Sequence, residues 1–481
     1  MVHIPILRAG KPYKSLDAVR VKNFITGETV AELSQANSGL IRKDFMQASH
    51  HKAALDALPV HELVTMCKNA AALFMEADLP LDGETQSPGD FVKIQSATTG
   101  MPEILCRRNM EKIRKVLDEM ETVLAGLTRG LDLSVLDVGW GKEDERSISY
   151  SVQTESLGAV LPNNSPGVHS LWLPSIPLKV PLTLKPGSQE PWTPYRVIQA
   201  FMAAGCPPEA FSYYPTDYSG ATQILLQCGR SMFFGDESTV RRWEKDRRVQ
   251  IHGPGWSKII IGHDQISNWP QYIDVMVESI LSNSGRSCLN ASGVWVPTGR
   301  DGREIAEALA ERLAQVTARA MDDPQAQLAA FVNPEIAERM SEMIDSGLRQ
   351  GGAEEVTTKY RDTGRLVKQH GCTLLLPTII WCDRPDHSLA NTELLFPFAS
   401  VVEVAPEDLI HAIGSSLVVT AITEESTFFQ KLMSATNIDR LNFGPIPTNR
   451  ISWDQPHEGN LFEHLYKQRA FQTTTENLTK E

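Results

Sequence analysis

Several features that define special protein classes are absent from this sequence. Its 481 residues include seven cysteines, and these show neither CxxC pairs nor the cysteine and histidine spacing of a zinc site. A disulfide framework and a structural zinc site are therefore excluded. We expect a chain without bound metal that works in a reducing, cytoplasmic compartment.

Long apolar runs and an excess of positive charge are also missing. No stretch approaches the roughly 18 apolar residues of a membrane span, and the first residues lack the apolar core of a signal peptide. The formal net charge of −13 argues against nucleic acid or an anionic membrane as the main partner, because both require a basic surface. The 42% hydrophobic and 22% charged residues are typical of a globular protein with two or three domains.

Short apolar runs alternate with helical segments in the middle of the chain. The predicted strands are Gly158–Leu161, Val180–Leu184, Phe211–Tyr214, Met232–Phe234, Val249–Ile251 and Lys258–Ile261. Between them, helices are predicted for Pro194–Ala204 and Ala221–Cys228. This alternation indicates a parallel sheet covered on both faces, and hence a doubly wound α/β domain of the nucleotide-binding type.

The flanking regions show other patterns. One apolar stripe predicts a helix over Leu105–Leu127, and weak alternation predicts an extended arm or hairpin over residues 131–157. A second α/β region follows, with a helix over Arg303–Ala320 and another that begins after the N-cap Asn333. Its predicted strands are Val294–Val296, Thr373–Leu376 and Leu417–Ala421.

Cys288 differs from the other six cysteines in its local context. It lies on a turn that contains Gly285, between the helical run Tyr272–Leu281 and the strand-like run Val294–Pro297. The other cysteines lie in helical or strand-like segments, where a free thiol usually packs as a small hydrophobe. A thiol presented on a turn is placed as a nucleophile would be. Cys288 is therefore the candidate catalytic residue.

Four separated motifs occur in an order that resembles the aldehyde dehydrogenase superfamily. Pro162–Pro166 is similar to its Pro-x-Asn-x-Pro element, and Leu184–Pro191 to its Leu-Lys-Pro cofactor element. Ser284–Cys288 resembles the Gly-Gln-x-Cys nucleophile turn, and Glu393–Phe398 resembles the Glu-x-Phe-Gly-Pro element. Each motif alone is weak, but four in order over alternating strands and helices are strong.

The resemblance implies an architecture of two doubly wound α/β domains and an oligomerisation arm. Residues 1–130 and 158–256 would form the nicotinamide cofactor domain, and residues 257–440 the catalytic domain. Residues 131–157 and 455–481 match the arm and the C-terminal segment through which family members form homodimers or homotetramers.

The resemblance also implies a chemistry. Cys288 would attack a carbonyl, the Asn164 amide and the Cys288 N–H would hold the oxyanion, and hydride transfer to NAD or NADP would leave a thioester. Lys185 matches the residue on the adenine-side ribose, and Glu393 the one on the nicotinamide ribose. Leu395 stands where the family has a phenylalanine, so aromatic stacking from that position is lost.

One departure concerns the release of the acyl group. His252 stands where hydrolytic members carry the glutamate that activates water. Members without this glutamate include acyl-CoA reductases, so the departure favours chemistry in which the acyl group passes between Cys288 and coenzyme A. Two alternatives stay open: His252 acts as the general base of a non-acylating dehydrogenase, or it only hydrogen-bonds a strand end.

Other departures lie around the cofactor. Gly235 can still form the close turn before a phosphate-binding helix, but Asp236 and Glu237 place negative charge beside it, and Val240 replaces the second glycine of the loop. Ser188 replaces a glutamate that favours NAD, and a neutral serine is compatible with NADP as well.

Arg286 replaces the usual glutamine beside the nucleophile. Its charge could lower the pKa of the thiol or bind an anionic substrate. The altered cofactor loop also leaves open a superfamily member that binds a ligand or partner without turnover. The retained pair of Asn164 and Cys288 favours an enzyme that acts on an aldehyde or acyl thioester.

Overall fold

A seven-stranded sheet forms the first half of the molecule. The computed structural model describes residues 2–143, 146–163, 166–299, 301–456 and 458–472. The strands of this sheet, numbered along the chain, are β2 (Ile6–Arg8), β3 (Lys11–Tyr13), β10 (Leu157–Val160), β11 (Leu182–Lys185), β12 (Phe211–Tyr213), β13 (Arg230–Phe234) and β14 (Val249–His252). Their spatial order is β14-β13-β10-β11-β12-β2-β3.

The order of these strands identifies a ligand-binding edge. β10 to β14 pair in parallel, and β2 and β3 add an antiparallel edge. The chain leaves β10 toward β11 and β12 on one side, and later returns to β13 and β14 on the other. In open α/β sheets, ligands bind at the carboxyl ends of the strands where the order reverses in this way. Here that point lies between β10 and β13.

A second seven-stranded sheet forms the other half. Its strands are β15 (Lys258–Ile261), β16 (Gly293–Pro297), β17 (Ala353–Glu355), β20 (Thr378–Cys382), β21 (Phe398–Val404), β22 (Ser416–Ile422) and β23 (Ile438–Phe443). They lie in the order β17-β20-β21-β16-β15-β22-β23, and all but β17 are parallel. Every residue of β15 and β16 is buried, as expected for a sheet covered on both faces. The α/β fold predicted from the sequence is confirmed.

Four smaller sheets complete the strand inventory of the described residues. An N-terminal sheet contains β1 (Val2–Ile4), β4 (Ala18–Lys22) and β5 (Thr29–Ser34), and two hairpins contain β6 (Leu79–Leu81) with β7 (Glu84–Gln86) and β18 (Leu366–Gln369) with β19 (Cys372–Leu375). The last sheet contains β8 (Trp140–Glu143), β9 (Arg146–Val152) and β24 (Tyr466–Gln468). β24 pairs antiparallel with β9, so the hairpin of the predicted arm is joined to the C-terminal segment.

Helices cover both large sheets. They are α1 (Ser38–Phe45), α2 (Ala48–Asp56), α3 (Val60–Glu76), α4 (Pro88–Thr99), α5 (Glu103–Asp118), α6 (Met120–Thr128), α7 (Val135–Val138), α8 (Trp192–Ala203), α9 (Tyr218–Gln227), α10 (Glu237–Val240), α11 (Ile273–Leu281), α12 (Asp301–Ala314), α13 (Pro334–Leu348), α14 (Leu409–Ala412), α15 (Ser426–Met433) and α16 (Leu461–Leu465). Across the described ranges, no helix is both long and apolar enough to cross a membrane.

Three sequence predictions are refined by the structure. The helix predicted over Leu105–Leu127 is broken at Glu119 into α5 and α6, which a continuous apolar stripe could not reveal. α12 ends at Ala314, earlier than predicted. The start of α13 is confirmed, since the Asn333 side chain accepts a hydrogen bond from the Glu335 N–H at 3.1 Å.

Candidate active site

The candidate nucleophile lies on a strained turn between the two large sheets. After α11 the chain passes through Asn283, Ser284 and Gly285 with φ values of 51°, 59° and 65°, and Cys288 follows before β16 begins. Each non-glycine residue in this left-handed region costs about 1–2 kcal/mol. Such a turn persists only when the surrounding structure holds it.

Three contacts from remote segments hold the turn. The Asn109 side-chain amide on α5 donates to Asn283 Oδ1 at 2.8 Å, and the Ala329 N–H donates to Ser284 Oγ at 2.7 Å. A Cβ on Gly285 would lie 2.4 Å from the carbonyl carbon of Phe396, so only glycine fits there. The nucleophile turn is therefore positioned by both halves of the molecule.

Arg286 has a structural position rather than one at the thiol. Its guanidinium donates to the carbonyls of Ala330, at 2.6 Å, and Thr99, at 3.3 Å, and stacks over the Phe331 ring at 5.0 Å. Burial lowers the pKa of Arg286 to about 10. Because its donors are engaged by backbone carbonyls, neither of the two roles suggested by the sequence, lowering the thiol pKa or binding an anion, is supported.

The thiol itself contacts a carboxylate that the sequence did not indicate. Cys288 Sγ donates to Glu458 Oε1 at 2.7 Å. Six of the seven cysteines are buried, and Cys288 alone keeps partial exposure. Burial, and after it the charge and hydrogen bond of Glu458, raise the pKa of Cys288 well above the ordinary thiol value. In this arrangement the thiol of Cys288 lies beside an acceptor for its proton.

His252 lies on the other side of the same carboxylate. It ends β14 opposite Phe234 of β13, and the two rings stack with centroids 4.4 Å apart. His252 Nδ1 lies 2.6 Å from Glu458 Oε2, and the two side chains are only 4% and 6% exposed. Its Nε2 is buried without a hydrogen-bond partner among the described residues. Cys288 and His252, two residues of the predicted site, thus both contact Glu458, which the sequence did not indicate.

A loop after β14 supports the backbone of the nucleophile. A Cβ on Gly255 would lie 2.0 Å from the Cys288 carbonyl oxygen, and Ser257 Oγ donates to the same oxygen at 2.7 Å. Glu393 accepts hydrogen bonds from the N–H groups of Gly255, at 3.2 Å, and Trp256. Glu393, predicted to contact the nicotinamide ribose, therefore braces this loop here, and its contact with a cofactor stays a prediction.

Two charged groups beside this loop are strongly perturbed. Burial raises the pKa of Glu393 to about 7, and burial lowers the pKa of Lys258 to about 7. Lys258 donates to the Trp256 carbonyl at 2.6 Å, so it holds the loop from the opposite side. Perturbed groups of this kind cluster at functional sites.

Lys112 is a second residue that sequence reasoning missed. It lies on α5, the helix that also carries Asn109, and a Cβ on Gly167 would lie 3.3 Å from its ammonium. Burial lowers the pKa of Lys112, while its interactions with Glu458 and with the thiolate form of Cys288 oppose that change. The only sequence signal was a helix with one apolar stripe, which gives no reason to single out a lysine on it.

The predicted oxyanion residue, Asn164, lies outside the described residues, and its role stays a prediction. The residue before it contacts the Leu-Lys-Pro element: Asn163 Oδ1 accepts the Gln189 N–H at 2.9 Å, and a Cβ on Gly187 would lie 2.4 Å from the same oxygen. The Pro-x-Asn and Leu-Lys-Pro elements are thereby packed against each other.

Three of the four predicted cofactor residues, Lys185, Ser188 and Gly235, follow strands at the carboxyl edge of the first sheet. Lys185 ends β11 opposite Val160 of β10, and burial lowers the pKa of its ammonium, which has no hydrogen-bond partner among the described residues. Ser188 follows three residues later and is exposed. A half-buried ammonium without a protein acceptor fits the ribose hydroxyls of a nicotinamide cofactor.

The helix start that would meet the cofactor pyrophosphate fits less well. Gly235 follows β13, but α10 has only four residues, and Asp236 caps it by accepting the Thr239 N–H at 2.9 Å and the Ser238 hydroxyl at 2.7 Å. These hydrogen bonds, that of Ser238 first, lower the pKa of Asp236, so the position carries a negative charge. The start of α10 is therefore unsuited to an anion, and the contact of Lys185 with a cofactor ribose stays a prediction.

A largely apolar pocket leads to Glu458 from the side of α6. Its lining combines aliphatic and aromatic side chains with a few polar groups: Val123, Leu127, Leu171, Pro174, Met232, Trp453 and Leu461, with Ser170, Gln250, Gln455 and Gly459. Its free volume of about 30 Å³ has room for a water molecule or two rather than for an organic substrate. Within the residues that the structure describes, no group of three histidine, cysteine, aspartate or glutamate side chains is arranged to hold a metal ion.

Comparison with known proteins gives a consistent result. The model of the aldehyde dehydrogenase family matches residues 12–415. Among curated proteins, the N-succinylglutamate 5-semialdehyde dehydrogenase of Vibrio cholerae serotype O1 is 25% identical over 174 residues. That match covers 34% of this chain and 34% of the relative, so the alignment spans about a third of the relative's length.

Solved structures resemble the chain over nearly its whole length. A putative aldehyde dehydrogenase from Burkholderia cenocepacia is 15% identical with a TM-score of 0.77, covering 98% of this chain and 97% of that one. An NAD-dependent aldehyde dehydrogenase from Sinorhizobium meliloti is 16% identical with a TM-score of 0.78, covering 97% and 94%. An aldehyde dehydrogenase from Bacillus cereus in complex with NAD+ is 14% identical with a TM-score of 0.75, covering 97% and 96%. At these identities the likeness shows the fold.

Proposed function

Because the chain belongs to the aldehyde dehydrogenase family, we propose that it is an NAD(P)-dependent oxidoreductase that forms a covalent thioester on Cys288. One observation carries the proposal: among seven cysteines, the partly exposed one lies on a strained turn with its thiol 2.7 Å from a carboxylate. A buried structural cysteine needs neither the turn nor the acceptor.

The residues of this chain suit the steps of such a reaction. Cys288 Sγ adds to the carbonyl carbon of an aldehyde, and the Cys288 N–H and the Asn164 amide stabilise the oxyanion. A bound oxidised nicotinamide supplies the hydride acceptor that converts the adduct into a thioester. Lys185 and Glu393 hold the two riboses, and Gly235 allows close approach of the backbone.

Two routes can then release the acyl group. In the first, water attacks the thioester and a carboxylic acid leaves; the carboxylate of Glu458 beside Cys288 favours this route. In the second, coenzyme A accepts the acyl group, or an acyl-CoA is reduced in the reverse direction. The histidine at position 252, where hydrolytic members carry a glutamate, favours this second candidate.

The cofactor and the assembly are further parts of the proposal. The exposed, neutral Ser188 leaves no carboxylate to repel a 2′-phosphate, so NAD and NADP are both accepted. The sheet of β8, β9 and β24 offers an arm for a homodimer or homotetramer. Seven unpaired cysteines suit the reducing conditions of the cytoplasm.

The test is a pair of assays on the purified protein. Formation of NAD(P)H is followed with a panel of uncharged aldehydes, and its consumption with a panel of acyl-CoAs. We expect turnover in at least one assay, its loss in Cys288→Ala, and its retention in Cys372→Ala, a control thiol on β19. Full activity in Cys288→Ala, or no NAD(P) binding by calorimetry, would refute the proposal in favour of a family member without turnover.

A further inference from the structure

Glu458 is positioned by the strand that carries His252. The Gln250 side chain of β14 donates to the Glu458 carbonyl, and two residues further on the same face His252 Nδ1 lies 2.6 Å from Glu458 Oε2. A Cβ on Gly459 would lie 2.2 Å from Gln250 Nε2, and Asn460 caps α16 while donating to the Leu127 carbonyl at 2.8 Å. Contacts at Glu458 itself and at the two residues that follow it thus fix the position of the carboxylate.

The thiol needs a proton acceptor in order to react. Only the thiolate is an effective nucleophile, and the pKa of Cys288 is raised well above its ordinary value. Among the described residues, the hydrogen-bond acceptor within reach of Sγ is Glu458 Oε1. The other charged or titratable groups near this carboxylate are His252, Lys112, Glu393 and Asp439.

We propose that Glu458 is the general acid–base residue of the reaction and that His252 is its positioning residue. The C-terminal segment thereby supplies the carboxylate at the thiol. The strand position at which hydrolytic family members carry their glutamate holds His252 instead, and its imidazole orients Glu458. The assignment rests on the proposed role of Cys288 as nucleophile, and it extends that role by naming how the acyl group is released.

The proton transfers balance in both half-reactions. In the first, the S–H bond breaks, its proton passes to Glu458 Oε1, and the S–C bond forms as the carbonyl electron pair moves to oxygen. The thioester forms when the oxyanion collapses and the C–H bond breaks, with the hydride going to the oxidised nicotinamide that the proposed function requires. The proton on Glu458 then leaves to solvent. In the second, water gives a proton to Glu458, its oxygen bonds to the thioester carbon, the C–S bond breaks, and the leaving thiolate recovers the proton from Glu458. The product is a carboxylic acid.

The aligned contacts of His252 suit a positioning role. Its Nδ1 lies at Oε2 while the Cys288 thiol donates to Oε1, so a proton on Nδ1 would hold the carboxylate by one oxygen with the other at Sγ. Stacking on Phe234 at 4.4 Å keeps the ring in this orientation. A side chain without a donor at that position would let the carboxylate rotate away from the thiol.

The test compares Glu458→Gln and His252→Leu with Glu463→Gln, an exposed glutamate of the same segment, in the full-length protein. The first readout needs no cofactor: alkylation of Cys288 by iodoacetamide as a function of pH, followed by peptide mass. Glutamine keeps an amide oxygen but removes the negative charge and the base that can take up a proton. The thiol of Glu458→Gln should therefore ionise at lower pH than in the wild type. The second readout is turnover with the best aldehyde, together with the acyl-enzyme seen by intact mass.

We expect Glu458→Gln to combine faster alkylation at pH 8 with a fall in kcat of about 10²- to 10³-fold. A merely structural role would lower both together. For His252→Leu we expect a smaller fall in kcat with little change in KM, and Glu463→Gln should match the wild type in both readouts.

Three results would overturn the assignment: kcat of Glu458→Gln close to that of Glu463→Gln, an unchanged pH profile of alkylation, or release of acyl groups only to coenzyme A and never to water. Failure of the proposed function looks different. In that case no substrate turns over in the wild type either, while the alkylation profiles still report whether Glu458 controls the thiol.

Discussion

Gly255 lies against the backbone of Cys288, the candidate nucleophile, and replacing Gly255 tests how accurately that thiol must be placed. A Cβ at this position would lie 2.0 Å from the Cys288 carbonyl oxygen and 3.0 Å from its Cα. Since such atoms hardly ever approach within 3.0 Å, the loop and the nucleophile must separate by about 1 Å. The Ser257–Cys288 hydrogen bond of 2.7 Å and the bond from the Gly255 N–H to Glu393 cannot both survive that shift.

The expected magnitudes follow from this displacement. Overpacking costs about 1–3 kcal/mol and a lost hydrogen bond about 1 kcal/mol, so Gly255→Ala should lose about 2–4 kcal/mol of unfolding free energy. Moving a nucleophile by about 1 Å should lower kcat by about 10²-fold. Urea unfolding and steady-state turnover measure the two effects separately.

Gly253→Ala is the matched control two residues away. Its Cβ would lie 3.9 Å from Val240 Cγ2, an ordinary van der Waals distance, so stability and turnover should stay near the wild type. If Gly255→Ala and Gly253→Ala differ by less than about twofold in kcat and about 0.5 kcal/mol in stability, the loop does not control the placement of Cys288.

Three further substitutions test other parts of the site. Arg286→Met should lose about 2–4 kcal/mol of unfolding free energy in urea, because the carbonyls of two segments lose a charged donor. Its KM for neutral aldehydes should stay unchanged. A rise in KM confined to anionic aldehydes would instead indicate that Arg286 binds the substrate. Asn109→Ala should lose about 1 kcal/mol and lower kcat, because the left-handed Asn283 loses its hydrogen-bond donor; intact kcat would contradict this. Glu393→Gln tests the pH dependence of stability. Burial raises the pKa of Glu393 from 4.5 to about 7, so between these values the folded state binds a proton that the unfolded state does not. The wild type should therefore lose stability relative to the variant as the pH rises from about 5 to about 8. Urea midpoints at both pH values measure this, and a difference that grows in the opposite direction would refute it.

The parts of the site that could be predicted from the sequence each had a local signal. Cys288 follows a glycine turn after a helix, Lys185 ends an apolar strand before a proline, and His252 ends another strand. Strands and helices follow the spacing of apolar residues along the chain, so their order could be predicted before any contact was known. The N-cap at Asn333 could be predicted for the same reason, because its hydrogen bond is made two residues away.

Glu458 had no such signal. It lies 170 residues from Cys288 along the chain, in a segment without helical or strand periodicity, and no spacing relates it to the strand that ends at His252. Lys112 was equally hidden, because a charged residue on a helix is ordinarily solvated. Arg286 shows the converse: its position beside the nucleophile suggested electrostatics at the thiol, whereas the folded chain turns its guanidinium to two backbone carbonyls.

The sequence by itself determined the α/β order, because periodicity acts over a few neighbouring residues. The resemblance of its motifs indicated the aldehyde dehydrogenase fold, and the turn context singled out Cys288 as the candidate nucleophile. Tertiary structure alone decided which groups meet the thiol. The 2.7 Å hydrogen bond between Cys288 and Glu458 requires two remote segments to be placed within a few tenths of an ångström. That placement results from the packing of three parts of the chain: the strand that ends at His252, the C-terminal segment and the strained turn. The same packing decides that a carboxylate lies at Cys288 although the expected strand position carries a histidine.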